Sequence, residues 1–151
     1  MDVRVRRASD ADVGGVVDVL IALAAEESRD AVPRERLAAL VTANLASPTH
    51  AVFVAVDGER VVGYVAVHWI PFALMGGWEA YVSDLVVDGR ARGGQVGSRL
   101  LAAVEAEARQ RGCTRVMLNN RMASQAFARG FYPTRGFVQR TEWANFVKRL
   151  D

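Results

Sequence analysis

Asp84-Leu-Val-Val-Asp-Gly-Arg-Ala-Arg-Gly-Gly-Gln-Val-Gly-Ser-Arg-Leu-Leu101 is the stretch that decides the fold. Its apolar run Leu85–Val87 ends at the turn pair Asp88-Gly89. Apolar residues then recur at the spacing of one helix face, at Leu100, Leu101, Val104 and Ala108. The stretch therefore predicts a strand, a glycine-rich turn and the start of a helix.

The turn Arg92-Gly-Gly-Gln-Val-Gly97 has the chemistry of an anion site. Glycines let the backbone direct its N–H groups inward, and the first N–H groups of a helix have no partner within it. A phosphate there gains hydrogen bonds and the positive end of the helix dipole. The alternative is a turn that binds nothing. The turn has neither the Gly-Lys-Ser/Thr of a Walker A loop nor the Gly-x-Gly-x-x-Gly spacing of a dinucleotide fold.

The chain has 151 residues, of which 51% are hydrophobic and 24% are charged. These values predict one globular domain over residues 1–151 with an ordinary core. No apolar run approaches the roughly 20 residues of a membrane span, and Val3-Arg-Val-Arg6 alternates like a strand. We therefore expect a cytoplasmic protein without a membrane partner.

Charge is distributed unevenly between the two halves of the chain. Residues 1–75 hold 7 basic and 10 acidic side chains, whereas residues 76–151 hold 12 and 7, a balance of +5. A positive second half suits a polyanionic cofactor, although a solvated basic surface gives the same count. The total of +2 is too small to indicate nucleic acid. The single Cys113 has no metal-ligand spacing and is interpreted as a small core residue at the start of a strand.

The remaining elements follow from periodicity and turn residues. A strand near Val3, a helix behind Ser9–Asp12 and a second helix behind Pro33 precede the central stretch. The pair Gly14-Gly15 weakens the first helix by about 1 kcal/mol per glycine. Three antiparallel strands come next, at 51–56, 61–69 and about 79–87, with a hairpin turn at Asp57-Gly58.

After the central stretch the sequence predicts a strand at 114–118 and a short helix at 123–132. A closing strand pair is expected at 135–138 and 146–148, and this pair can form between two copies of the chain as well as within one. The pattern is that of one α/β or α+β domain without repeats.

Taken together, these pieces resemble the GNAT-type N-acetyltransferase superfamily over nearly the whole chain. Three features carry the resemblance: Leu85–Val87 before the loop, Arg92–Gly97 where the family has Arg/Gln-x-x-Gly-x-Gly/Ala, and Phe131-Tyr132 before Gly136-Phe137. Within the superfamily, the residues around His68, Trp78 and Asp84 are most similar to aminoalkylphosphonate N-acetyltransferases.

The resemblance implies a mixed, mostly antiparallel sheet of six to seven strands with about four helices. Its central strands would separate after Leu85–Val87, and acetyl-CoA would occupy the gap. The implied cofactor-binding residues are Leu85, Val86, Val87, Arg92, Gly93, Gly94, Gln95, Val96, Gly97, Ser98 and Gln125; no metal site is expected.

Gln95 departs from the family pattern, which has glycine at that position. A residue with a side chain at positive φ costs about 1 to 2 kcal/mol. Either the position is helical here or some cofactor affinity is lost. Because Gly93 and Gly94 remain, we expect Gln95 to be helical.

Acetyl transfer to an amine needs a base, because an amine of pKa about 10.4 is only about one part in a thousand neutral at pH 7. It also needs an acid for the departing thiolate. The resemblance implies Tyr132 as this acid, although a core aromatic is the plain alternative. Asp84, His68 and Glu79 are the candidates for the base, and each has an equally simple structural role.

We expect an acetyl-CoA-dependent N-acetyltransferase that acts on a small primary amine. This class of acceptor includes amines that bear a phosphonate or another anion. A protein N-acetyltransferase, a non-catalytic acyl-CoA-sensing domain and a nucleic-acid-binding module are the alternatives. The last lacks the interleaved basic and aromatic surface that such modules use.

Overall fold

The computed structural model describes residues 1–150. Two compact units are present, one reaching Asn119 and the other beginning at Asn120. The strands are β1 Val3–Arg7, β2 His50–Asp57, β3 Arg60–Phe72, β4 Gly77–Val87 and β5 Cys113–Leu118. The α-helices are α1 Val13–Glu26, α2 Arg34–Ala46, α3 Val96–Gln110 and α4 Gln125–Ala128.

The strands form one sheet in the order β1-β2-β3-β4-β5. The pairs β1–β2, β2–β3 and β3–β4 are antiparallel, and β5 pairs parallel to β4 after the crossover through α3. This confirms the mixed, mostly antiparallel sheet and the four helices. The sheet has five strands, fewer than the six to seven expected.

Helices cover both faces of the sheet in the N-terminal unit. The side chains of β2 and β3 alternate between two buried clusters, one with Leu100 and Val104 of α3 and the other with Val16 and Val17 of α1. Both strands are therefore apolar along nearly their whole length, as expected for strands buried on two faces.

Two glycines allow the helices to approach β3 closely. A Cβ on Gly15 of α1 would lie 2.6 Å from Val61 Cγ2, and one on Gly63 would lie 2.9 Å from the Val86 carbonyl and 3.3 Å from Val96 Cγ1. Val96 is the first residue of α3. The absence of a side chain at Gly63 thus lets the first turn of α3 pack directly on β3.

The predicted closing strand pair is wrong. Pro133–Arg135 forms a 3-10 turn that ends at Gly136 with φ +85°, and residues 137–150 form neither helix nor strand. Phe146 and Val147 are 92% and 84% exposed. Without burial or a pairing strand, nothing offsets the conformational entropy of ordering this segment as a strand. Pairing between two copies stays a prediction.

Within residues 1–150, no helix is long and apolar enough to cross a membrane.

Gly14 and Gly15 provide a matched test of the packing of α1. Gly15→Ala should lower the free energy of unfolding by about 1 to 3 kcal/mol, because its methyl group collides with the buried Val61. Gly14→Ala should raise it by about 0.5 to 1 kcal/mol, because nothing lies within 4 Å of that position and alanine favours the helix. Urea unfolding of the two variants measures both, and equal effects would contradict this packing.

Candidate active site

The centre of the site is a β-bulge in β4. Ala66 lies opposite Asp84 and the next residue, Val67, lies opposite Val82, so Ser83 has no partner residue on β3. Tyr64 and His68 are on one face of β3, since they are four residues apart. Ser83 bonds to His68 and Asp84 bonds to Tyr64. The bulge therefore presents two consecutive polar side chains on the same face of the sheet.

The edge of β4 that faces β5 becomes unpaired at the same place. The last β4–β5 pair is Val82 opposite Leu118, and residues 83–87 follow without a β5 partner in the described chain. The strands were expected to separate after Leu85–Val87, but they separate before it. Leu85, Val86 and Val87 remain paired to β3, through Val65, Tyr64 and Gly63, which leaves their other edge available to a ligand.

The turn after β4 is held by Asp88. Its carboxylate accepts a hydrogen bond from the Arg90 N–H at 2.9 Å and contacts the Arg60 guanidinium at 2.5 Å. The hydrogen bonds from Arg90 are the main reason that the pKa of Asp88 falls to about 2. Asp88 is thus ionised at neutral pH and fixes the direction in which the chain leaves the sheet.

The glycine-rich loop departs from the sequence prediction at one residue. Gln95 was expected to be helical, but it is left-handed, with φ +61° and ψ 12°, and caps the start of α3. Gly93 is also left-handed, with φ +84°. These turns return the chain to the core at the buried Val96. Burial of a valine, about 1.5 to 3 kcal/mol, offsets the strain at Gln95.

The first helical hydrogen bond of α3 runs from the Arg99 N–H to the Gln95 carbonyl, at 3.0 Å. The amides of the preceding turn, Val96 to Ser98, therefore lie before the repeating hydrogen bonds of the helix. Gly97 is buried beside Val96, and Ser98 is half-buried. The helix start and the loop together have the geometry expected for an anion site.

The Arg92 side chain is bound to the end of α1. Its guanidinium forms a two-pronged ion pair with Glu26, one prong at 2.7 Å, and its Nε donates to the Val87 carbonyl at 3.3 Å. Sequence reasoning assigned no role to Glu26. No local signal identifies this pair, because the two residues are 66 positions apart.

His68 is half-buried beside the bulge, and its contacts suit a base. Its Nε2 lies 2.7 Å from Ser83 Oγ, and its ring meets His50 edge-on at a centroid distance of 4.2 Å. Burial is the main reason that the pKa of His68 is lowered, the charge of His50 lowers it further, and Asp84 opposes the shift. His68 is therefore neutral at pH 7.

Asp84 and Glu79 each have a partner. The Tyr64 hydroxyl donates to Asp84 Oδ2 at 3.1 Å, and burial, followed by the Asp84 charge, raises the pKa of Tyr64. Glu79 is 2% exposed and forms an ion pair with Arg115 of β5. Breaking a buried ion pair is costly, so Glu79 is better suited to joining the two strands than to accepting a proton.

Tyr132 and Gln125 belong to the C-terminal unit. The Tyr132 ring meets Phe131 and Phe137 edge-on, at centroid distances of 5.0 and 5.7 Å. Burial raises the pKa of Tyr132, and Arg135 opposes this shift. Gln125 is exposed and begins α4, whose N-cap is Ser124.

Metal ligands are not grouped anywhere in residues 1–150: no set of three or more His, Cys, Asp or Glu side chains is placed to hold an ion.

The structure thus combines a five-stranded mixed sheet, which opens at a bulge in β4, with a glycine-rich loop and a helix start. The profile of the Acetyltransferase (GNAT) family matches residues 18–137. The chain belongs to this family and is an acetyltransferase.

Solved structures show the same fold. A transcriptional regulator from Bacillus halodurans C-125 aligns with a TM-score of 0.84 and 22% identity, covering 98% of this chain and 99% of that one. Glucosamine-6-phosphate N-acetyltransferase from Arabidopsis thaliana aligns with a TM-score of 0.77 and 18% identity, covering 100% of both chains. An aminoglycoside acetyltransferase, meta-AAC0020, from an uncultured soil metagenomic sample aligns with a TM-score of 0.80 and 18% identity. This alignment covers 99% of this chain and 97% of that one.

At these identities the similarity shows the fold alone. No curated protein sequence gives a significant match to the chain.

Gly93 and Gly94 test the geometry of the loop. Gly93→Ala should lower the free energy of unfolding by about 1 to 2 kcal/mol, because alanine is strained at φ +84°. Gly94→Ala is the control: its φ is not positive, its Cβ would come no closer than 3.4 Å to another residue, and its effect should stay within about 0.5 kcal/mol. Thermal unfolding of both variants without ligand measures the difference. Equal stability of the two would contradict the left-handed turn at Gly93.

Proposed function

We propose that this protein transfers the acetyl group of acetyl-CoA directly to a small primary amine. The observation that carries the proposal is the imidazole of His68, 2.7 Å from Ser83 Oγ at the place where β4 loses its β5 partner. A neutral base beside an open strand edge suits the removal of a proton from an amine.

The residues present fit acetyl-CoA. Residues 83–87 offer an unpaired strand edge to the pantetheine amides. Backbone N–H groups from Arg92 to Ser98 would hold the pyrophosphate, and the left-handed Gln95 keeps the backbone in a conformation that glycine also adopts. Arg99 is exposed in the first turn of α3 and adds positive charge nearby.

His68 is the favoured base. Proton transfer needs a group that is unprotonated at working pH and within hydrogen-bond reach of the donor. His68 is neutral and already forms a short hydrogen bond at the bulge. Asp84 lies on the same face, and its charge opposes the lowering of the His68 pKa by burial and His50. We therefore assign it the stabilisation of the imidazolium that forms during the reaction.

Tyr132 is proposed as the acid that protonates the departing thiolate. A phenol must hold its proton at neutral pH to do this, and burial raises the pKa of Tyr132 in that direction. A thiol has a pKa of about 8.5, so the thiolate is basic enough to accept a proton once it is desolvated. Gln125 is proposed to contact the pantetheine.

The acceptor is proposed to be a small amine that carries a phosphonate, a phosphate or another anion. The similarity of the residues around His68, Trp78 and Asp84 to aminoalkylphosphonate N-acetyltransferases supports this class. Trp78 is 46% exposed and lies opposite Pro71 on β3. Among the solved structures of the same fold, one is named as an acetyltransferase of glucosamine-6-phosphate, an amine that bears a phosphate.

An amine screen tests the function. The protein is mixed with acetyl-CoA and aminoalkylphosphonates, amino sugars with and without phosphate, polyamines, amino acids or a lysine peptide, and release of free thiol is followed. We expect the highest kcat/KM for a small anionic amine. Faster turnover of the peptide than of every small amine would contradict the acceptor class and favour a protein N-acetyltransferase.

The control for this screen is the unfolding temperature with acetyl-CoA alone. Ligand at one hundred times its Kd stabilises a protein by about 2.7 kcal/mol. Stabilisation without turnover of any amine would favour a non-catalytic acyl-CoA-sensing domain. No stabilisation would contradict acetyl-CoA binding itself.

Tyr132→Phe tests the acid. The substitution keeps the ring contacts with Phe131 and Phe137 and removes only the hydroxyl. Turnover should fall by about 10² to 10⁴-fold, with little change in the Kd of acetyl-CoA. Steady-state kinetics and thermal shift measure the two quantities. Phe137→Tyr is the matched control, because it adds a hydroxyl to the neighbouring ring and leaves Tyr132 in place. Near-normal turnover of Tyr132→Phe would show that Tyr132 is a packing residue and not the acid.

A further inference from the structure

Ser83 is the most exposed member of the polar cluster at the bulge. Its side chain is exposed, whereas His68, Asp84 and Tyr81 are half-buried and Tyr64 is buried. A substrate arriving from solvent therefore meets the Ser83 hydroxyl before the imidazole. The His68 Nε2 that would accept a proton is already occupied by that hydroxyl, at 2.7 Å.

A hydroxyl in this position can accept one hydrogen bond while it donates another. An O···N distance of 2.7 Å is at the short end of the usual range. Because Ser83 is the extra residue of the bulge, it has no partner residue on β3, and its strand edge is also free of β5. Ser83 thus lies between solvent and His68 without a pairing role in the sheet.

His50 is placed to hold the His68 ring. The two rings meet at an interplanar angle of 77°, and His50 lies directly opposite His68 in the β2–β3 register. His50 Nδ1 is buried and has no hydrogen-bond partner in the described chain. Its influence on His68 is therefore exerted by ring contact and by charge.

We propose that Ser83 is a catalytic residue that relays the acceptor's proton to His68, and that His50 is a positioning residue for the His68 imidazole. This proposal rests on the proposed acetyltransferase function and specifies its proton path.

The relay balances as follows. The acceptor's ammonium group first loses a proton to Ser83 Oγ while the Ser83 proton passes to His68 Nε2, and His68 releases it to solvent. The neutral amine nitrogen then bonds to the acetyl carbonyl carbon, and its second proton leaves by the same path. The carbon–sulfur bond breaks, and the thiolate takes the proton of the Tyr132 hydroxyl. Tyr132 then regains a proton. Ser83 forms no covalent bond with the acetyl group.

The test compares Ser83→Ala, Ser83→Thr and Ser47→Ala with the wild type, using acetyl-CoA and the best amine from the screen. Ser47 is the control, because its hydroxyl bonds to Thr49 at the end of α2, outside the cluster. Ser83→Ala should lower kcat by at least about tenfold without changing the Kd of acetyl-CoA, since a proton-transfer group is lost. Ser83→Thr should restore most of the activity because it restores the hydroxyl.

Wild-type kcat in Ser83→Ala would overturn the relay, and so would equal loss in Ser83→Ala and Ser83→Thr when both bind acetyl-CoA normally. A wild type that acetylates no amine contradicts the proposed function instead. The two failures are thus distinguishable.

His50→Phe tests the positioning role through the pH dependence of kcat/KM. The titratable and polar groups around His68 come from two strands: His50 belongs to β2, and Tyr81, Ser83 and Asp84 belong to β4. His50 lowers the pKa of His68, so its removal should raise that pKa and move the acid limb of the profile to higher pH. Phenylalanine keeps an aromatic ring against His68. An unmoved acid limb would show that the charge of His50 does not act on His68, and a fall in kcat at every pH, despite the retained ring, would be needed to support a positioning role.

Discussion

The extra residue in β4 is the constraint on which the site depends. A strand in regular register would place Ser83 and Asp84 on opposite faces of the sheet, because side chains alternate. The bulge instead brings both to the face that carries Tyr64 and His68, where each has a hydrogen-bond partner. It also lies at the last pair between β4 and β5, so the polar cluster and the open strand edge arise at one point of the chain.

Much of the positive charge in the second half of the chain is neutralised by specific partners. Arg90, Arg92 and Arg115 pair with Asp88, Glu26 and Glu79, and two arginines of α3 and its end pair with glutamates one turn earlier. These pairs fix loops and strands. Four of the five carboxylates lie in the second half and are already subtracted in its balance of +5, so only the pair of Arg92 with Glu26 lowers that balance further.

The central stretch could be predicted because its signals are local. Three apolar residues, a turn pair and a helical stripe identify β4, the loop and α3 without knowledge of their surroundings. The bulge could not be predicted, because Ser83 and Asp84 are both polar and a one-residue insertion leaves no mark in the pattern. Gln95 was misassigned because left-handed geometry is rare for residues with a side chain. Burial of Val96, the next residue, offsets the cost of the left-handed conformation at Gln95.

Long-range terms explain the other differences. The closing strands have apolar residues typical of strands, but a strand also needs a neighbour, and no sequence pattern supplies one. Candidate bases were identified by residue type, whereas their separate roles depend on partners from other strands: Ser83 for His68, Tyr64 for Asp84 and Arg115 for Glu79.

The contact between Glu26 and Arg92 depends on the length of α1, because Glu26 is the last residue of that helix. Successive residues of an α-helix are about 100° apart around its axis. Adding or removing one residue within α1 would turn its last carboxylate away from the loop, while four residues, close to a full turn, would return it to the same side but about 6 Å further along. The length of the connection at 27–33 is not restricted by helix periodicity, because none of its residues lies in a helix or strand. Variation in length between related chains is therefore expected in that connection, and α1 is expected to keep its number of turns.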